Sequence, residues 1–327
     1  MKGVTVSVGA RNRQEEITPK TEQLPEDVPF VSIALITFNE RANVTECLRS
    51  LYGLDYPRSR YEVVVVDGGS TDGTLEILRG FPVSLIIDTR RSRGVARNTA
   101  VNNAKGEIVA FIDADCLATS SWIRQHIRVH RSPSVLVVGG SVLQGGDSSL
   151  PARIYHETYF AAQLPSVQRR ITWDLATCNA SFKRKTFHVV GLFPEMDRGE
   201  DSLLCWNVLR KGYEVVYDPS PQVVHIHERI TFRSFLRRCG EQGFADRQLQ
   251  SAFGSRSPFK LPKRVGLTMI LIPSLVLARF SRYITQLASS PDRKKALLYS
   301  PLVFGASLFW TVGYLRAALN STHGLSD

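Results

Sequence analysis

An apolar segment that ends in two carboxylates one residue apart constrains the fold of this chain most. Residues 108–112 read Ile-Val-Ala-Phe-Ile and are followed by Asp113-Ala114-Asp115. A short apolar run of this kind is typical of a strand buried on both faces. Because side chains i and i+2 of a strand lie on one side, Asp113 and Asp115 can share or flank one Mg²⁺ or Mn²⁺. A solvated turn would give the same pattern, so the pair needs support from the rest of the chain.

That support comes from a repeated order of strand, loop and helix. Strands are predicted at Phe30–Ile36, Tyr61–Val66, Val83–Ile87 and Ile108–Ile112. Helical patterns follow the first three, and such uniformly apolar strands imply a mostly parallel sheet with helices on both faces. Ligands of these sheets bind beyond the carboxyl ends of the strands. The segments that fall at this edge are Thr37–Glu40, Asp67 and Asp113–Asp115.

The charge of the chain is unevenly distributed. Of its formal net charge of +11, a net +7 falls between Arg229 and Arg264, just before an apolar region. This position favours contact with anionic lipid headgroups. Zinc-finger spacing and basic-aromatic interleaving are absent from the sequence, so nucleic acid is not an expected partner. The five cysteines are scattered without a C-x-x-C, which indicates reduced thiols of a cytosolic domain.

Both ends of the chain differ from its middle. Residues 1–28 are polar without a signal-peptide core, and we expect a flexible tail there. Residues 265–278 contain Pro273 and are short for a span, which favours a re-entrant or interfacial helix. Residues 296–315 carry no charge, and as a helix of about 30 Å they could cross a bilayer. A buried hairpin of a soluble subdomain, or an oligomer contact, would also explain both segments.

Four ordered motifs resemble the family 2 glycosyltransferases, whose fold is called GT-A. They are V-S-I-A-L-I-T-F-N-E at 31–40, V-V-V-V-D-G-G-S-T-D-G-T at 63–74, R-G-V-A-R-N-T-A at 93–100 and G-E-I-V-A-F-I-D-A-D at 106–115. The resemblance continues more weakly through residues 178–195 and 198–213. It implies a Rossmann-like α/β domain over residues 29–230. A basic membrane-proximal segment at 231–264 and a hydrophobic helical region at 265–320 then follow.

The resemblance also implies which residues bind the donor nucleotide. They are Thr37, Asn39, Glu40, Asp67 and Asp113. An ionised Asp67 at a strand end can accept a hydrogen bond from a base N–H. Arg93 and Arg97 flank a helix start and can face the diphosphate, although arginines on an exposed helix face would give the same pattern.

In the same family Asp113 and Asp115 would clamp a metal ion against the diphosphate, with Asp115 as the more direct ligand. His225 and His227 are the available imidazoles for a further ligand, and the expected cofactor is Mn²⁺ or Mg²⁺. A structural role, or a role in an acceptor loop, is an equally open interpretation of these two histidines.

The acidic pair Glu200-Asp201 at a predicted helix start matches the family's catalytic acids. The resemblance makes Asp201 the general base and Glu200 a residue that positions the acceptor or Asp201. Both could instead be acids that merely stabilise the first turn of a helix. Order along the chain assigns Trp173–Phe182 to the acceptor pocket.

Beyond residue 230 the Q-x-x-R-W signature of processive synthases is absent from the sequence, which favours addition of single sugars. The sequence therefore predicts a membrane-associated, metal-dependent inverting glycosyltransferase for cell-envelope or exopolysaccharide synthesis. Its donor would be a nucleoside-diphosphate sugar, with UDP-sugars favoured. Its acceptor would be a lipid-linked glycan at the cytoplasmic face of the membrane. The alternatives are a polyprenyl-phosphate sugar synthase and a catalytically inactive nucleotide-sugar-binding scaffold.

Overall fold

Strands and helices alternate up to residue 226, and helices follow. The structure is a computed structural model that describes residues 28–90, 92–146, 149–196, 198–226, 230–253, 265–288 and 294–323. The strands are β1 (Val31–Thr37), β2 (Tyr61–Asp67), β3 (Ser84–Ile87), β4 (Ile108–Asp113), β5 (Cys116–Ala118), β6 (Val135–Gly145), β7 (Arg170–Ile171), β8 (Asn179–Lys183) and β9 (Glu214–Ile226). The helices are α1 (Val44–Tyr52), α2 (Thr74–Arg79), α3 (Arg93–Asn103), α4 (Trp122–His130), α5 (Leu150–Tyr159), α6 (Lys185–Val190), α7 (Glu200–Arg210), α8 (Phe232–Phe253), α9 (Val265–Ile270), α10 (Ile272–Ala288) and α11 (Lys294–His323).

The first half of the sheet is parallel, as the strand patterns predict. β1 lies between β2 and β4, and β3 extends the parallel set beyond β2. Alternate side chains of β1 enter different layers, with Ile33 and Leu35 in one hydrophobic core and Ala34 in the other. The first core contains the buried face of α1, and the second contains Ala100 and Val101 of α3. Helices therefore cover both faces of this part of the sheet.

The sheet as a whole is mixed, which the sequence analysis did not predict. Its strand order is β3-β2-β1-β4-β8-β6-β9-β5, with β7 paired to β9. β8 runs antiparallel to both β4 and β6, and β5 runs antiparallel to β9. Residues 223–226, which include His225, are the end of a long strand, because β9 begins at Glu214 and carries the pairing with β6 through two register shifts.

The C-terminal helices pack against one another and against α5 around a third core. Glycines permit a close approach of α8 to α11, because a Cβ atom on Gly243 would lie 1.9 Å from the carbonyl oxygen of Trp310. Trp310 Nε1 donates a 2.8 Å hydrogen bond to Asp246 Oδ2, and Arg279 of α10 lies 3.7 Å from the same oxygen. One buried carboxylate of α8 thus contacts both neighbouring helices.

The predicted interfacial segment at 265–278 is divided between two helices. α9 ends at Ile270, and α10 begins at Ile272 with Pro273 in its first turn, where the missing N–H of proline costs no helical hydrogen bond. The predicted N-terminal tail lies outside the described residues except for Val28, which is buried. His227 and residues 254–264 of the basic segment also lie outside them.

Candidate active site

Two loops at the carboxyl edge of the parallel strands hold each other in place. The backbone N–H of Asn39 donates to Ser70 Oγ at 2.8 Å, and the N–H of Thr71 donates to Asn39 Oδ1 at 2.9 Å. Asn39 has a φ of 54°, a left-handed conformation that asparagine tolerates better than most residues. The N–H of Glu40 donates to Thr74 Oγ1 at 2.9 Å. The predicted nucleotide-binding segment is therefore fixed by the loop that follows β2.

Asp67 is fully buried and organises that loop. Its Oδ1 accepts from the N–H groups of Gly69 and Ser70 at 2.9 and 2.7 Å, and its Oδ2 accepts from Ser70 Oγ at 2.6 Å. These three hydrogen bonds occupy three of the acceptor positions that a carboxylate offers. Direct contact of Asp67 with a nucleotide base stays a prediction, as do the contacts of Thr37, Asn39 and Glu40.

A carboxylate–imidazole cluster lies at the end of β4. Asp113 is the last residue of β4, and Asp115 lies in the turn that follows. His225 pairs with Cys116 across β5 and β9, and its Nε2 lies 3.5 Å from Asp115 Oδ2. Candidate ligand atoms of Asp115, Cys116 and His225 all lie within 4.8 Å of one another. Strand pairing thus brings a residue 110 positions away to the Asp113–Asp115 pair.

The electrostatics of this cluster fit a divalent cation. Burial, followed by the charge of Asp113, raises the pKa of Asp115 to about 7. Burial also lowers the pKa of His225, so its imidazole is neutral near pH 7 and can donate a lone pair. Two crowded carboxylates and a neutral imidazole are a donor set that suits Mn²⁺, and the carboxylates alone suit Mg²⁺. Metal ligation by these residues remains a prediction.

Arg97 and Glu200, predicted for different roles, are partners in a buried ion pair. Their side chains are 7% and 3% exposed, and both line the cleft that contains Asp113 and Asp115. Arg93 is exposed at the start of α3, where its guanidinium interacts electrostatically with Asp113 and Asp201. Arg93 is therefore the more accessible of the two predicted diphosphate ligands.

Asp201 lies in the first turn of α7 and in the same cleft. Its Oδ1 accepts from the N–H of Ser202 at 2.8 Å, and its Oδ2 accepts from the N–H of Thr177 at 3.3 Å. A second carboxylate, Asp174, accepts a 2.9 Å bond from Ser202 Oγ. Desolvation within the cleft raises the pKa of Asp174 to about 6, a value that suits a proton acceptor. The sequence analysis did not single out Asp174.

Only part of the predicted acceptor segment lines the cleft. Trp173–Cys178 do so, whereas Ala180 and Phe182 belong to the hydrophobic core. The prediction was too long because β8 begins at Asn179 and is a central strand of the sheet.

Helices from the predicted membrane region complete the cleft, whose volume is about 360 Å³. Their contributions are Arg238, Gln242, Asp246 and Leu249 from α8 and Arg279, Arg282 and Tyr283 from α10. The sequence analysis missed these residues, although the spacing of the α8 set places all four on one helical face. The basic charge of this segment is therefore partly directed into the site.

Comparison with known proteins gives the family. Residues 32–191 match the model of glycosyl transferase family 2. Over 219 residues the chain is 30% identical to glycosyltransferase AglE of Haloferax volcanii, a match that covers 64% of this chain and 71% of AglE. The chain belongs to glycosyltransferase family 2. The predicted enzyme class, a glycosyltransferase, is thereby confirmed.

A solved relative supports the fold of this family 2 member. Mannosyltransferase PcManGT of Pyrobaculum calidifontis, in complex with GDP-Man and Mn²⁺, aligns with a TM-score of 0.55 at 22% sequence identity. The alignment covers 92% of this chain and 77% of PcManGT. The predicted GT-A architecture is therefore confirmed, with the mixed sheet described above.

A second curated relative is a dolichyl N-acetyl-alpha-D-glucosaminyl phosphate 3-beta-D-2,3-diacetamido-2,3-dideoxy-beta-D-glucuronosyltransferase of Methanococcus voltae. It is 27% identical over 125 residues, which span 35% of this chain and 39% of the relative.

One helix in the described part of the chain is long and apolar enough to cross a membrane. The candidate span is Lys294–Asn320 within α11, and an 18-residue window of it has a mean hydropathy of 1.4. Tyr299, Val303, Trp310 and Tyr314 of this helix are buried, whereas Leu297 and Leu298 are 83% and 67% exposed. The helix thus packs on the protein with one side and presents apolar side chains on another, an arrangement consistent with membrane association.

Proposed function

We propose that this family 2 enzyme transfers a sugar, with inversion, from a nucleoside-diphosphate sugar to a lipid-linked glycan at a membrane surface. One observation carries the proposal: a single cleft contains both the Asp113–Asp115–His225 cluster and the carboxylate of Asp201. Glycosyl transfer needs stabilisation of a departing diphosphate and a proton acceptor for the attacking hydroxyl. The cleft contains residues suited to both tasks.

For the donor, we assign the nucleotide to Thr37, Asn39, Glu40 and Asp67 and the diphosphate to Arg93 and Arg97. The loop contacts around Asn39 and Ser70 support this assignment, because they hold the backbone rigid before a ligand arrives. Binding of GDP-Man by PcManGT supports a nucleotide-sugar donor in general. Our preference for UDP-sugars stays a prediction that a donor panel can test.

Asp113, Asp115 and His225 would hold Mn²⁺ or Mg²⁺. The bound ion would supply positive charge against the diphosphate as it leaves. Before any ion binds, burial and the charge of Asp113 keep the pKa of Asp115 near 7, so a cation would relieve an existing repulsion. The Mn²⁺ in the PcManGT complex supports a divalent metal in this fold.

Asp201 is the proposed general base. The N–H groups of Ser202 and Thr177 orient its carboxylate, which would accept the proton of the attacking acceptor hydroxyl. Glu200 acts on the site through Arg97, because their ion pair connects the start of α7 to α3.

Two features support a lipid-linked acceptor in cell-envelope synthesis. The Methanococcus voltae relative is named for a dolichyl N-acetyl-alpha-D-glucosaminyl phosphate substrate, and the exposed apolar side chains of α11 suit contact with a membrane. The reduced cysteines and basic C-terminal residues support a catalytic domain on the cytoplasmic side.

A polyprenyl-phosphate sugar synthase is the second candidate, and several arginines of the cleft favour it. Arg93, Arg238 and Arg282 all line the cleft and suit an acceptor whose own phosphate is the nucleophile. An ionised phosphate oxygen carries no proton to remove, so this reaction would depend little on Asp201. The Asp201→Asn variant therefore separates the two candidates.

The test is release of nucleoside diphosphate from a panel of UDP- and GDP-sugars, in membranes, with and without Mn²⁺ or Mg²⁺. Wild type is compared with Asp115→Asn, Asp201→Asn and the control Asp55→Asn, which removes an exposed carboxylate outside the cleft. We expect metal-dependent release with one donor, lost in the first two variants and retained in the control. Donor binding without turnover, unchanged by Asp201→Asn, would instead identify a catalytically inactive scaffold.

A further inference from the structure

A second, larger cavity adjoins the active-site cleft. This helical groove, of about 1130 Å³, lies between the start of α3, the segment around Met196, and helices α8 and α11. Its apolar lining is Val95, Met196, Leu236, Phe244, Phe309 and Val312. The reaction proposed above uses none of these side chains. A groove of this size and composition suits a hydrophobic ligand.

Arg198 joins the helical groove to the cleft, because it lines both cavities. Its Nη2 lies 2.7 Å from Glu241 Oε2, and Glu241 also lies 3.9 Å from Arg237. In all, four arginines and two glutamates line the groove, which gives it a net positive charge. An anionic group at this junction would meet cations from both cavities.

The helical groove also opens onto the apolar surface of α11. Phe309 and Val312 line the groove and are 42% and 56% exposed. A hydrocarbon chain could therefore enter the groove from a bilayer over these two exposed side chains.

We propose that the helical groove holds the hydrocarbon chain of the lipid-linked acceptor, a polyprenyl chain joined through phosphate to its glycan, with that phosphate at Arg198. The inference deepens the proposed function and rests on it, since a glycan attached beyond the phosphate would extend from Arg198 into the cleft that contains Asp201. Three observations carry the inference: the apolar lining of the groove, its positive charge, and the connection through Arg198. A soluble sugar acceptor would need none of these features.

The test measures binding of polyprenyl phosphates to the full chain in detergent micelles, so that it does not depend on sugar transfer. The probes are farnesyl phosphate and undecaprenyl phosphate, which are a short and a long prenyl phosphate, and phosphatidic acid as a phospholipid of different chain chemistry. Val312→Glu introduces a charge into the groove. Leu308→Glu is the matched control, because it lies one turn away on α11, is similarly exposed and does not line the groove.

We expect wild type and Leu308→Glu to bind undecaprenyl phosphate at least about tenfold more tightly than farnesyl phosphate, a difference of about 1.4 kcal/mol. Val312→Glu should abolish this preference, and Arg198→Gln should weaken both prenyl phosphates by a similar factor. Circular dichroism of each variant checks its folding.

Equal effects of Val312→Glu and Leu308→Glu would overturn the inference, as would equal affinity of wild type for the two prenyl phosphates. Phosphatidic acid binding as tightly as undecaprenyl phosphate would make the groove a general lipid surface and would also overturn it. If chain-length preference is found but no sugar is transferred in the donor assay, the proposed function fails while the lipid site stands.

Discussion

The guanidinium of Arg97 on α3 and the carboxylate of Glu200 at the start of α7 form an ion pair in the wall of the cleft. The pair connects the helix assigned to the donor diphosphate with the helix that carries Asp201. Both side chains are almost fully buried. Removal of either partner would therefore leave a charge in a poorly solvated site.

We predict that Glu200→Gln lowers the free energy of unfolding by about 3 kcal/mol or more, because it leaves the buried charge of Arg97 without its ion-pair partner. The double variant Arg97→Met/Glu200→Gln should lose less than the sum of the single changes Arg97→Met and Glu200→Gln, since it removes both charges. Urea denaturation measures all three values. Glu46→Gln, which breaks an exposed pair with Arg49, is the control and should cost less than about 1 kcal/mol. Strictly additive effects would contradict a coupled pair.

The contact between α8 and α11 leads to a second prediction. A Cβ atom on Gly243 would lie 1.9 Å from the carbonyl oxygen of Trp310, whereas one on Gly240 would lie 3.5 Å from that of Phe309. Gly243→Ala should thus separate the helices and lower the melting temperature, at a cost of about 1–3 kcal/mol. Gly240→Ala should be neutral or stabilising, by up to about 1 kcal/mol, because alanine favours the helix. Circular dichroism measures the thermal unfolding of both variants. Equal shifts of their melting temperatures would argue against close packing at Gly243.

The sequence predicted the first half of the fold because its strands are continuous apolar runs that end in turn residues. For the same reason it placed Asp67, Asp113 and Asp115 at one edge of the sheet. The antiparallel half was harder to predict, because β8 mixes polar and apolar residues, with Asn179 and Ser181 buried in hydrogen-bond networks. The sequence offered His225 as a ligand candidate, but its approach to Asp115 depends on the pairing of β5 with β9.

The C-terminal helices show a different limit. The basic charge of the α8 segment and the apolar composition of the later helices predicted contact with a membrane and gave no indication that α8 and α10 would line the cleft. Composition reports how hydrophobic a helix is, whereas the contacts of Arg238 and Asp246 depend on how α8 docks on the catalytic domain. The Arg97–Glu200 pair was unpredictable for the same reason, because it joins two helices that are distant in sequence.

Buried histidines beneath the sheet predict a loss of stability in acid. Burial lowers the pKa of His126 to about 4 and that of His130 to about 3. An unfolded histidine titrates near 6.5, so below that pH the unfolded chain binds more protons than the folded one. The stabilisation is complete above pH 6.5 and is lost as the pH falls towards 4. For His126 the full loss is about 3 kcal/mol.

Urea denaturation between pH 8 and pH 5 tests this prediction on wild type and His126→Gln. Glutamine can still hydrogen-bond to Asn179 or Ser181, which contact the His126 ring at 3.0 and 2.8 Å, but it does not titrate. The variant should therefore lose less stability between these pH values than wild type does. His188→Gln, at an exposed position, controls for the loss of a histidine. The same pH dependence in His126→Gln and wild type would count against the buried imidazole as the cause.

The two carboxylates around Ser202 allow the proposed base to be tested against its neighbour. Asp174 has the raised pKa of about 6, yet it reaches Asp201 through Ser202 Oγ, and the amide oxygen of asparagine could accept that same bond. With a hydroxyl acceptor, Asp201→Asn should lower kcat by about 10²–10⁴-fold, the usual contribution of a general base, and Asp174→Asn should lower it much less. The steady-state rates of both variants are measured over a range of pH. The KM for the donor checks that the nucleotide still binds. A larger loss of kcat in Asp174→Asn would transfer the role of base to Asp174, because only the group that takes the proton should account for most of the rate.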